Sequence, residues 1–320
     1  MARSPVSSST SAPAVRPRDR SLAVALLLSL RPHQWTKNLI VFAALVFGER
    51  RLDGAAILAA GITFAIFCGL SGVVYLINDV RDRDADRLHP VKRRRPIASG
   101  ALAPGTALIA AAGLAVLSLT AAFVLSPAVG VVATMYLVLL GLYSTSLKHI
   151  VILDVLTIAF GFVLRAWAGA VAVEVVMSHW LLLLTLLLAL FIGLSKRRAE
   201  LVSLADDARE HRRSLAEYSP YLLDQMISVA TASTLLAYAL YTIDVQTVAR
   251  FGTDRLLWTF PFPLYGVLRY LYLVHQREGG GDPAELLLTD RPLLACVGLW
   301  GVAVLLIVYA PWATPPLPAG

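Results

Sequence analysis

The sequence predicts an all-α integral membrane protein, a bundle of about nine transmembrane helices. Three observations lead to this prediction. Of the 320 residues, 58% are hydrophobic and 15% are charged, whereas about a quarter of the residues in a soluble domain carry charge. The mean hydropathy is +0.70. The apolar residues gather in runs near the ~20 residues that cross a bilayer, and the basic residues lie between those runs.

The N-terminal region precedes the first apolar run. Residues 1–20 are rich in Ser, Pro, Ala and Arg, a composition typical of a disordered tail. The short apolar stretch at 21–30 is followed by RPHQW and not by a small-residue cleavage site, which favours an interfacial helix over a signal peptide. We expect residues 21–320 to form a single transmembrane domain.

Nine apolar segments follow, and each is predicted to span the membrane. They lie at approximately 37–48, 54–79, 104–125, 128–146, 151–173, 179–196, 224–248, 256–275 and 292–312. The first is short and is expected to span only with help from the residues that begin near Leu30. Eight to ten spans would fit the same pattern.

The basic residues indicate the orientation of the chain. With the N-terminus in the cytoplasm, 22 of the 28 Lys and Arg residues fall on the cytoplasmic side and four on the outer side. Cytoplasmic loops of membrane proteins carry such an excess. We therefore expect a multi-pass protein with a cytoplasmic N-terminus. Basic clusters placed between apolar spans favour anionic ligands over nucleic acid.

The two cysteines, Cys68 and Cys296, lie in apolar runs, which argues against a disulfide framework or a thiolate metal site.

An acidic motif follows the second predicted span. Asn78, Asp82 and Asp86 recur every four residues, so a helix would place one amide and two carboxylates on one face. Carboxylates so spaced repel each other unless a cation lies between them. Mg²⁺ prefers such oxygen ligands together with substrate phosphates. The basic run that follows supplies Lys92, Arg94 and Arg95 as candidate phosphate ligands. The alternative is a solvated helix end whose acids pair with neighbouring arginines.

A second group of polar residues lies around the loop after the fourth predicted span. Tyr143, Lys148 and Asp154 are expected to cluster where the chain re-enters the membrane. Lys148 would then bind phosphate, and Asp154 would bind a sugar hydroxyl or a metal ion. A lysine that marks the cytoplasmic border explains Lys148 equally well.

Arg165 lies deep in the fifth predicted span, where a charge costs about 2.5–3.5 kcal/mol on insertion scales. We interpret it as reaching a buried anion, and a salt bridge with Glu174 or Asp244 remains the alternative. Lys37 and Asn38 are weaker candidates for substrate binding. Together with Trp35, they fit interfacial anchoring equally well.

The segment NDVRDRDADRLHPVKRRRPIASG at 78–100 resembles the first aspartate-rich motif of the UbiA superfamily of membrane prenyltransferases. The resemblance extends over nearly the whole chain from Leu30. It implies about nine transmembrane helices around a central cavity open to the cytoplasm, and a diphosphate held there through Mg²⁺ by Asn78, Asp82 and Asp86.

Within the superfamily, the sequence most resembles one branch, the decaprenyl-phosphate phosphoribosyltransferases. The supporting phrases are LRPHQWTKN, LYSTSLKH, the segment from Leu153 to Ala170, and GLSKRRAEL. Most of the superfamily carries a second acidic motif after the sixth span. Here Lys196 and Arg197 lie in a basic segment instead, which suits a site that binds additional phosphate groups.

This branch implies a magnesium-dependent pentosyltransferase of the bacterial plasma membrane, with its active site at the cytoplasmic face. It would transfer 5-phosphoribose from 5-phosphoribosyl 1-diphosphate to a polyprenyl phosphate, for cell-wall arabinan synthesis. Because the acceptor phosphate is already anionic, no general base is expected, and attack opposite the leaving diphosphate would invert the anomeric centre. Lys92, Arg94, Arg95 and Lys148 are expected at the donor phosphates. Arg165, Lys196 and Arg197 are expected at the lipid phosphate or the 5-phosphate.

Two alternative functions fit the sequence less well. A prenyltransferase acting on an aromatic acceptor would need the second acidic motif. A transporter would place its ionisable residues near the bilayer midplane at a repeat interface, whereas most of them lie at one rim here. The sequence leaves the oligomeric state open, a homo-oligomer included, and with it the number of Mg²⁺ ions and the role of Asp282 and Glu285.

Overall fold

The computed structural model describes residues 21–48, 53–204, 215, 217–276, 286 and 289–309. The regular secondary structure of these residues is helical throughout, without a strand, as the sequence predicts. The predicted tail at 1–20 lies outside the described residues, as do Asp282 and Glu285.

The described part of the chain forms twelve α-helices of at least five residues. These are α1 (Leu22–Ser29), α2 (Ala43–Phe47), α3 (Gly54–Arg81), α4 (Arg83–Leu88), α5 (Pro104–Leu125), α6 (Pro127–Thr145), α7 (Leu153–Ala172), α8 (His179–Leu204), α9 (Pro220–Ile243), α10 (Val245–Phe251), α11 (Pro261–Gln276) and α12 (Arg291–Tyr309). Short 3₁₀ helices lie at Pro32–Phe42, Lys92–Arg94, Leu147–His149 and Arg255–Thr259.

Seven of the described helices are long and apolar enough to cross a membrane, namely α3, α5, α6, α7, α8, α9 and α12. The first predicted span is instead divided between the 3₁₀ helix Pro32–Phe42 and α2. The eighth corresponds to α11, which has 16 residues. A multi-pass membrane protein is therefore supported, and nine spans remain a prediction.

The helix boundaries follow local chemistry. Proline occupies the first turn of α6 and α9, where its missing N–H costs nothing. The hydroxyl of Ser219 accepts a hydrogen bond from the Leu222 amide at the start of α9. Asp244 caps α10 by accepting from the amides of Gln246 and Thr247. Gly252 ends α10 in the left-handed conformation, with φ at 67°.

The described residues fall into two compact units. The first comprises 21–35 and 71–116, and the second comprises the described parts of 36–70 and 117–309. The second unit has one apolar cluster among α3, α5, α6 and α7, which includes Phe67 and Tyr136. Another includes Phe191, Ile227 and Tyr270. On α5, Ile109 and Val124 are 76% and 81% exposed, as expected of side chains that face lipid.

Close packing within the second unit depends on Gly169 of α7. A Cβ atom placed there would lie 1.9 Å from the carbonyl oxygen of Val41. Only glycine permits this approach of two backbones, the role that small residues play between membrane helices. The 3₁₀ helix Pro32–Phe42 therefore reaches α7 at its residue Val41.

Candidate active site

The acidic motif lies at the end of α3 and in α4. Helix α3 ends at Arg81, and Asp82 lies between the two helices with φ −89° and ψ 6°. The Asp82 amide donates to the Asn78 carbonyl at 2.8 Å, and the Asp86 amide donates to the Asp82 carbonyl at 2.8 Å. The helical hydrogen-bond pattern thus continues across the junction. Asn78, Asp82 and Asp86 remain one turn apart, as their spacing predicts.

Asp79, to which the sequence interpretation gave no role, lies at the centre of the charge network. It is 2% exposed and accepts from Arg31 Nη2 at 2.5 Å and from Arg95 Nη1 at 3.2 Å. The guanidinium of Arg31 also lies 4.9 Å from the ring centroid of Tyr75. The spacing of Asp79 to Asp86, seven residues or two helical turns, is the signal that could have found it.

Arg95 joins two carboxylates. Its Nη1 atom lies 2.6 Å from Oδ2 of Asp86 and 3.2 Å from Oδ1 of Asp79. Both carboxylates are buried, with side chains 5% and 2% exposed. One guanidinium nitrogen therefore bridges the two buried carboxylates and partly neutralises their charge.

The donor chemistry of this cluster fits Mg²⁺, which takes carboxylate and amide oxygens and retains several waters. In the described part of the chain, no three His, Cys, Asp or Glu side chains are arranged to hold a metal ion by themselves. Mg²⁺ sites in proteins commonly use one or two carboxylates and complete the coordination shell with water or substrate phosphates.

The basic run after the acidic motif is split by the structure. Lys92 and Arg94 belong to an exposed 3₁₀ helix, whereas Arg95 turns inward. The hydrogen bond from Arg87 Nε to the Ala98 carbonyl, at 3.1 Å, ties α4 to the segment that follows. Ile97, which is 1% exposed, anchors that segment. The side chains of Lys92 and Arg94 are thus exposed, whereas Arg95 contacts the buried carboxylates.

Asp154 organises a separate cluster in the second unit. It is fully buried at the start of α7. Its Oδ2 accepts from Arg197 Nε at 3.0 Å, and its Oδ1 accepts from the Tyr218 hydroxyl at 2.9 Å. Arg197, 4% exposed, also pairs with Glu200. Tyr143 lies close enough to Arg197 to interact with it electrostatically. The structure thus brings Tyr143, Asp154 and Arg197 together, and adds Tyr218 and Glu200.

Arg165 is buried in α7 among neutral groups. Its Nε donates to Oδ1 of Asn38 and its Nη2 donates to the Tyr136 hydroxyl, both at 2.6 Å. The rings of Tyr136 and Phe162 lie 4.7 and 5.0 Å from the guanidinium carbon. Asn38 also donates to Cys68 Sγ at 3.3 Å.

Asn38 and Tyr136 are thus the hydrogen-bond partners that the described contacts give Arg165, in place of Glu174 or Asp244. Asp244 caps α10 instead. Both of these partners are neutral, so the described hydrogen bonds give the positive charge of Arg165 no carboxylate. That Arg165 reaches a buried anion stays a prediction.

The remaining candidates are half-buried. Lys37 precedes buried Asn38, Lys148 lies in the 3₁₀ helix Leu147–His149, and Lys196 precedes Arg197 on α8. The next residue on α8, Arg198, pairs with Asp224 of α9 at 2.5 Å. Successive side chains of a helix differ by about 100° in direction, so the three cations at 196–198 have different surroundings.

Comparisons with known proteins agree with the sequence motifs. The sequence profile described as the UbiA prenyltransferase family matches residues 38–289. A decaprenyl-phosphate phosphoribosyltransferase of Corynebacterium glutamicum is 34% identical over 303 residues, covering 91% of this chain and 88% of that protein. Its namesake from Mycolicibacterium smegmatis is 33% identical over 306 residues, covering 89% and 94%.

The fold has a solved counterpart. A UbiA homolog from Archaeoglobus fulgidus, bound to GPP and Mg²⁺, has a TM-score of 0.67 at 19% identity and covers 89% of this chain and 96% of its own. At that identity, the similarity supports the helical fold. The predicted superfamily is thus confirmed by profile, sequence relatives and fold together, and the chain belongs to the UbiA prenyltransferase family.

Proposed function

We propose that this protein transfers 5-phosphoribose from 5-phosphoribosyl 1-diphosphate to a long-chain polyprenyl phosphate and releases diphosphate. The observation that carries the proposal is the basic segment Lys196–Arg198. The resemblance to the superfamily implies that most members carry a second acidic motif at this place instead. Relatives named for decaprenyl-phosphate phosphoribosyl transfer, at 33–34% identity over about nine tenths of this chain, support it.

The acidic cluster is proposed to bind the donor diphosphate together with Mg²⁺. Asn78, Asp82 and Asp86 would hold the ion. When bound, Mg²⁺ supplies positive charge that stabilises the leaving diphosphate. Arg95 holds Asp79 and Asp86 in place and neutralises charge that would otherwise drive the carboxylates apart. Lys92 and Arg94, which belong to the same compact unit, would bind the outer phosphate oxygens.

The other basic candidates are proposed to bind the remaining phosphate groups. Lys148 would bind a phosphate of the donor. Arg165, Lys196 and Arg197 would bind the 5-phosphate or the phosphate of the lipid acceptor. Arg165 suits this role because the described hydrogen bonds use two of its nitrogen atoms, and the guanidinium has further N–H donors.

The chemical step needs little from the protein beyond charge and position. The acceptor oxygen belongs to a phosphate that is anionic near neutral pH, so no side chain has to remove a proton. Departure of diphosphate gives the ribose ring oxocarbenium character, as in glycosidic cleavage. Attack from the opposite face inverts the anomeric centre. The product would serve cell-wall arabinan synthesis, and the excess of basic residues on one side supports a cytoplasmic site in the plasma membrane.

Membranes that contain the protein, incubated with ribose-labelled phosphoribosyl diphosphate, decaprenyl phosphate and Mg²⁺, test this proposal. We expect label in the lipid fraction, and none when Mg²⁺ is chelated or the lipid is omitted. Parallel reactions with labelled prenyl diphosphate and an aromatic acceptor test ordinary prenyl transfer. Label only in the prenylated aromatic product would overturn the proposal.

A further inference from the structure

We propose that Tyr218 is a positioning residue, which holds the turn at Ile152 and thereby places Lys148 against the donor. The substrate in this statement rests on the proposed function, whereas the contacts of Tyr218 do not. Tyr218 lies just before α9, outside the membrane-spanning segments, and is 5% exposed.

The turn at Ile152 is strained. Ile152 has φ 69° and ψ −47°, and the Leu153 amide donates to the Val151 carbonyl at 2.8 Å. These are the features of the rarer form of γ-turn, in which the central residue has a positive φ. A β-branched residue seldom adopts this conformation, because its Cβ substituents crowd the backbone. Such a turn persists only where neighbouring groups hold it.

Tyr218 supplies that support through a single oxygen atom. Its hydroxyl accepts from the Ile152 amide at 2.7 Å and donates to Oδ1 of buried Asp154 at 2.9 Å. Ile152 is the N-cap of α7 and gives no side-chain cap. In a capping box, a side chain of the same helix accepts from the N-cap amide. Here, a tyrosine 66 residues away takes that place.

The hydroxyl keeps both roles over a wide pH range. Burial raises the pKa of Tyr218 to about 12, so the proton donated to Asp154 stays in place at neutral pH. Asp154 in turn accepts from Arg197 Nε at 3.0 Å. One carboxylate therefore couples Tyr218 to a basic residue of α8.

Backbone hydrogen bonds carry this constraint to Lys148. The Asp154 amide donates to the Ile150 carbonyl at 3.0 Å, and the Ile150 amide donates to the Leu147 carbonyl at 3.2 Å. The backbone around Lys148 is thus fixed step by step from the turn that Tyr218 holds. Release of the turn would leave Lys148 attached to a looser segment, without changing its charge.

Kinetics of Tyr218→Phe test the inference, with Tyr221→Phe as the matched control because Tyr221 is 74% exposed on α9. We expect Y218F to raise the KM for phosphoribosyl diphosphate about tenfold, because the variant loses both hydrogen bonds of the hydroxyl and the turn at Ile152 loosens. The kcat and the KM for decaprenyl phosphate should stay within about twofold, and Y221F should match wild type. An unchanged donor KM would overturn the proposal.

A double-mutant cycle separates positioning from a general loss of structure. If Tyr218 acts through Lys148, then Y218F should change the donor KM less than twofold in a protein that already carries Lys148→Ala. Independent effects that multiply would contradict the proposal. If Y218F cannot be purified, adding Ile152→Gly should restore recovery, because glycine adopts a positive φ without support. Failure of that variant too would show that Tyr218 supports the core and not the turn.

Hydrogen exchange tests the contact without any substrate. Amides in the peptide 147–155 should exchange at least tenfold faster in Y218F than in wild type or Y221F. If wild type shows no phosphoribosyl transfer but exchange accelerates as expected, the proposed function fails and the role of Tyr218 in the turn stands. Equal exchange in all three proteins would overturn the inference, whatever the enzyme's activity.

Discussion

Replacement of Asp154 by Asn tests whether the cluster at the start of α7 stabilises the fold. Asn keeps the shape of the side chain and removes its charge. Asp154 is fully buried, and its partner Arg197 is 4% exposed. Removal of one member of a buried ion pair costs about 3–5 kcal/mol, since the remaining charge is left without compensation. Because Arg197 keeps Glu200, we expect the lower end, a loss of about 3 kcal/mol in the free energy of unfolding.

The chain offers a matched control one residue further along α8. Arg198 pairs with Asp224, but these side chains are 16% and 33% exposed. Solvent screens such a pair, so Asp224→Asn should cost about 1 kcal/mol or less. Both variants are unfolded in mixed micelles of SDS and a mild detergent, and circular dichroism monitors the loss of helix. The measurement gives the free energy of unfolding of each variant relative to wild type. If the two variants lie within about 1 kcal/mol of each other, the argument from burial is wrong.

Three further substitutions test the packing and the site. Gly169→Ala should lower the free energy of unfolding by about 3 kcal/mol or more, because the added Cβ would overlap the carbonyl oxygen of Val41. Gly141→Ala is the control in the same unfolding assay and should be tolerated, since no atom lies within 4 Å of its added Cβ. Asp82→Ala should abolish turnover although the variant can still be extracted as folded protein. Asp84→Ala is the control and should keep most of the activity, because the Asp84 side chain is 88% exposed. Equal activities of the two variants would refute the metal-site assignment. Lys148→Ala should raise the KM for phosphoribosyl diphosphate about tenfold or more, the effect of losing one hydrogen bond to a charged group, and leave the KM for the lipid nearly unchanged. An unchanged donor KM would indicate that Lys148 only marks the cytoplasmic border of the membrane.

The spans were predictable because a bilayer strongly restricts the residues of a helix that crosses it. A helix that faces hydrocarbon must be apolar over most of its surface, and this pattern is visible without knowledge of its neighbours. The prediction was weaker where a segment is short or divided. The region at 37–48 combines a 3₁₀ helix with the five-residue α2, and hydropathy does not distinguish that from part of a span.

The acidic motif was predictable to the level of helical spacing. Asn78, Asp82 and Asp86 remain in register across the junction between α3 and α4, because a four-residue period describes one helical turn wherever it occurs. The role of Asp79 was missed, since its importance comes from Arg31, which is 48 residues away. The seven-residue spacing between Asp79 and Asp86 could have indicated a shared helix face, but local periodicity does not identify a partner so distant in the sequence.

Long-range polar pairing accounts for the other omissions. Arg165 was recognised as a costly buried charge, but its partner Asn38 lies 127 residues away. Tyr218 gave no sequence signal beyond its place before Pro220, and its function depends on a backbone turn 66 residues away. Residue types and spacing identify which groups need partners, whereas the tertiary fold determines which partners they find.

The fate of the two labelled parts of the donor tests the central claim most directly. Phosphoribosyl diphosphate labelled in the ribose and, with a second isotope, in the terminal phosphate is incubated with purified protein, decaprenyl phosphate and Mg²⁺. We expect the ribose label to enter the lipid and the terminal phosphate label to be recovered in inorganic diphosphate. Terminal phosphate label in the lipid, or no ribose label there, would contradict that claim.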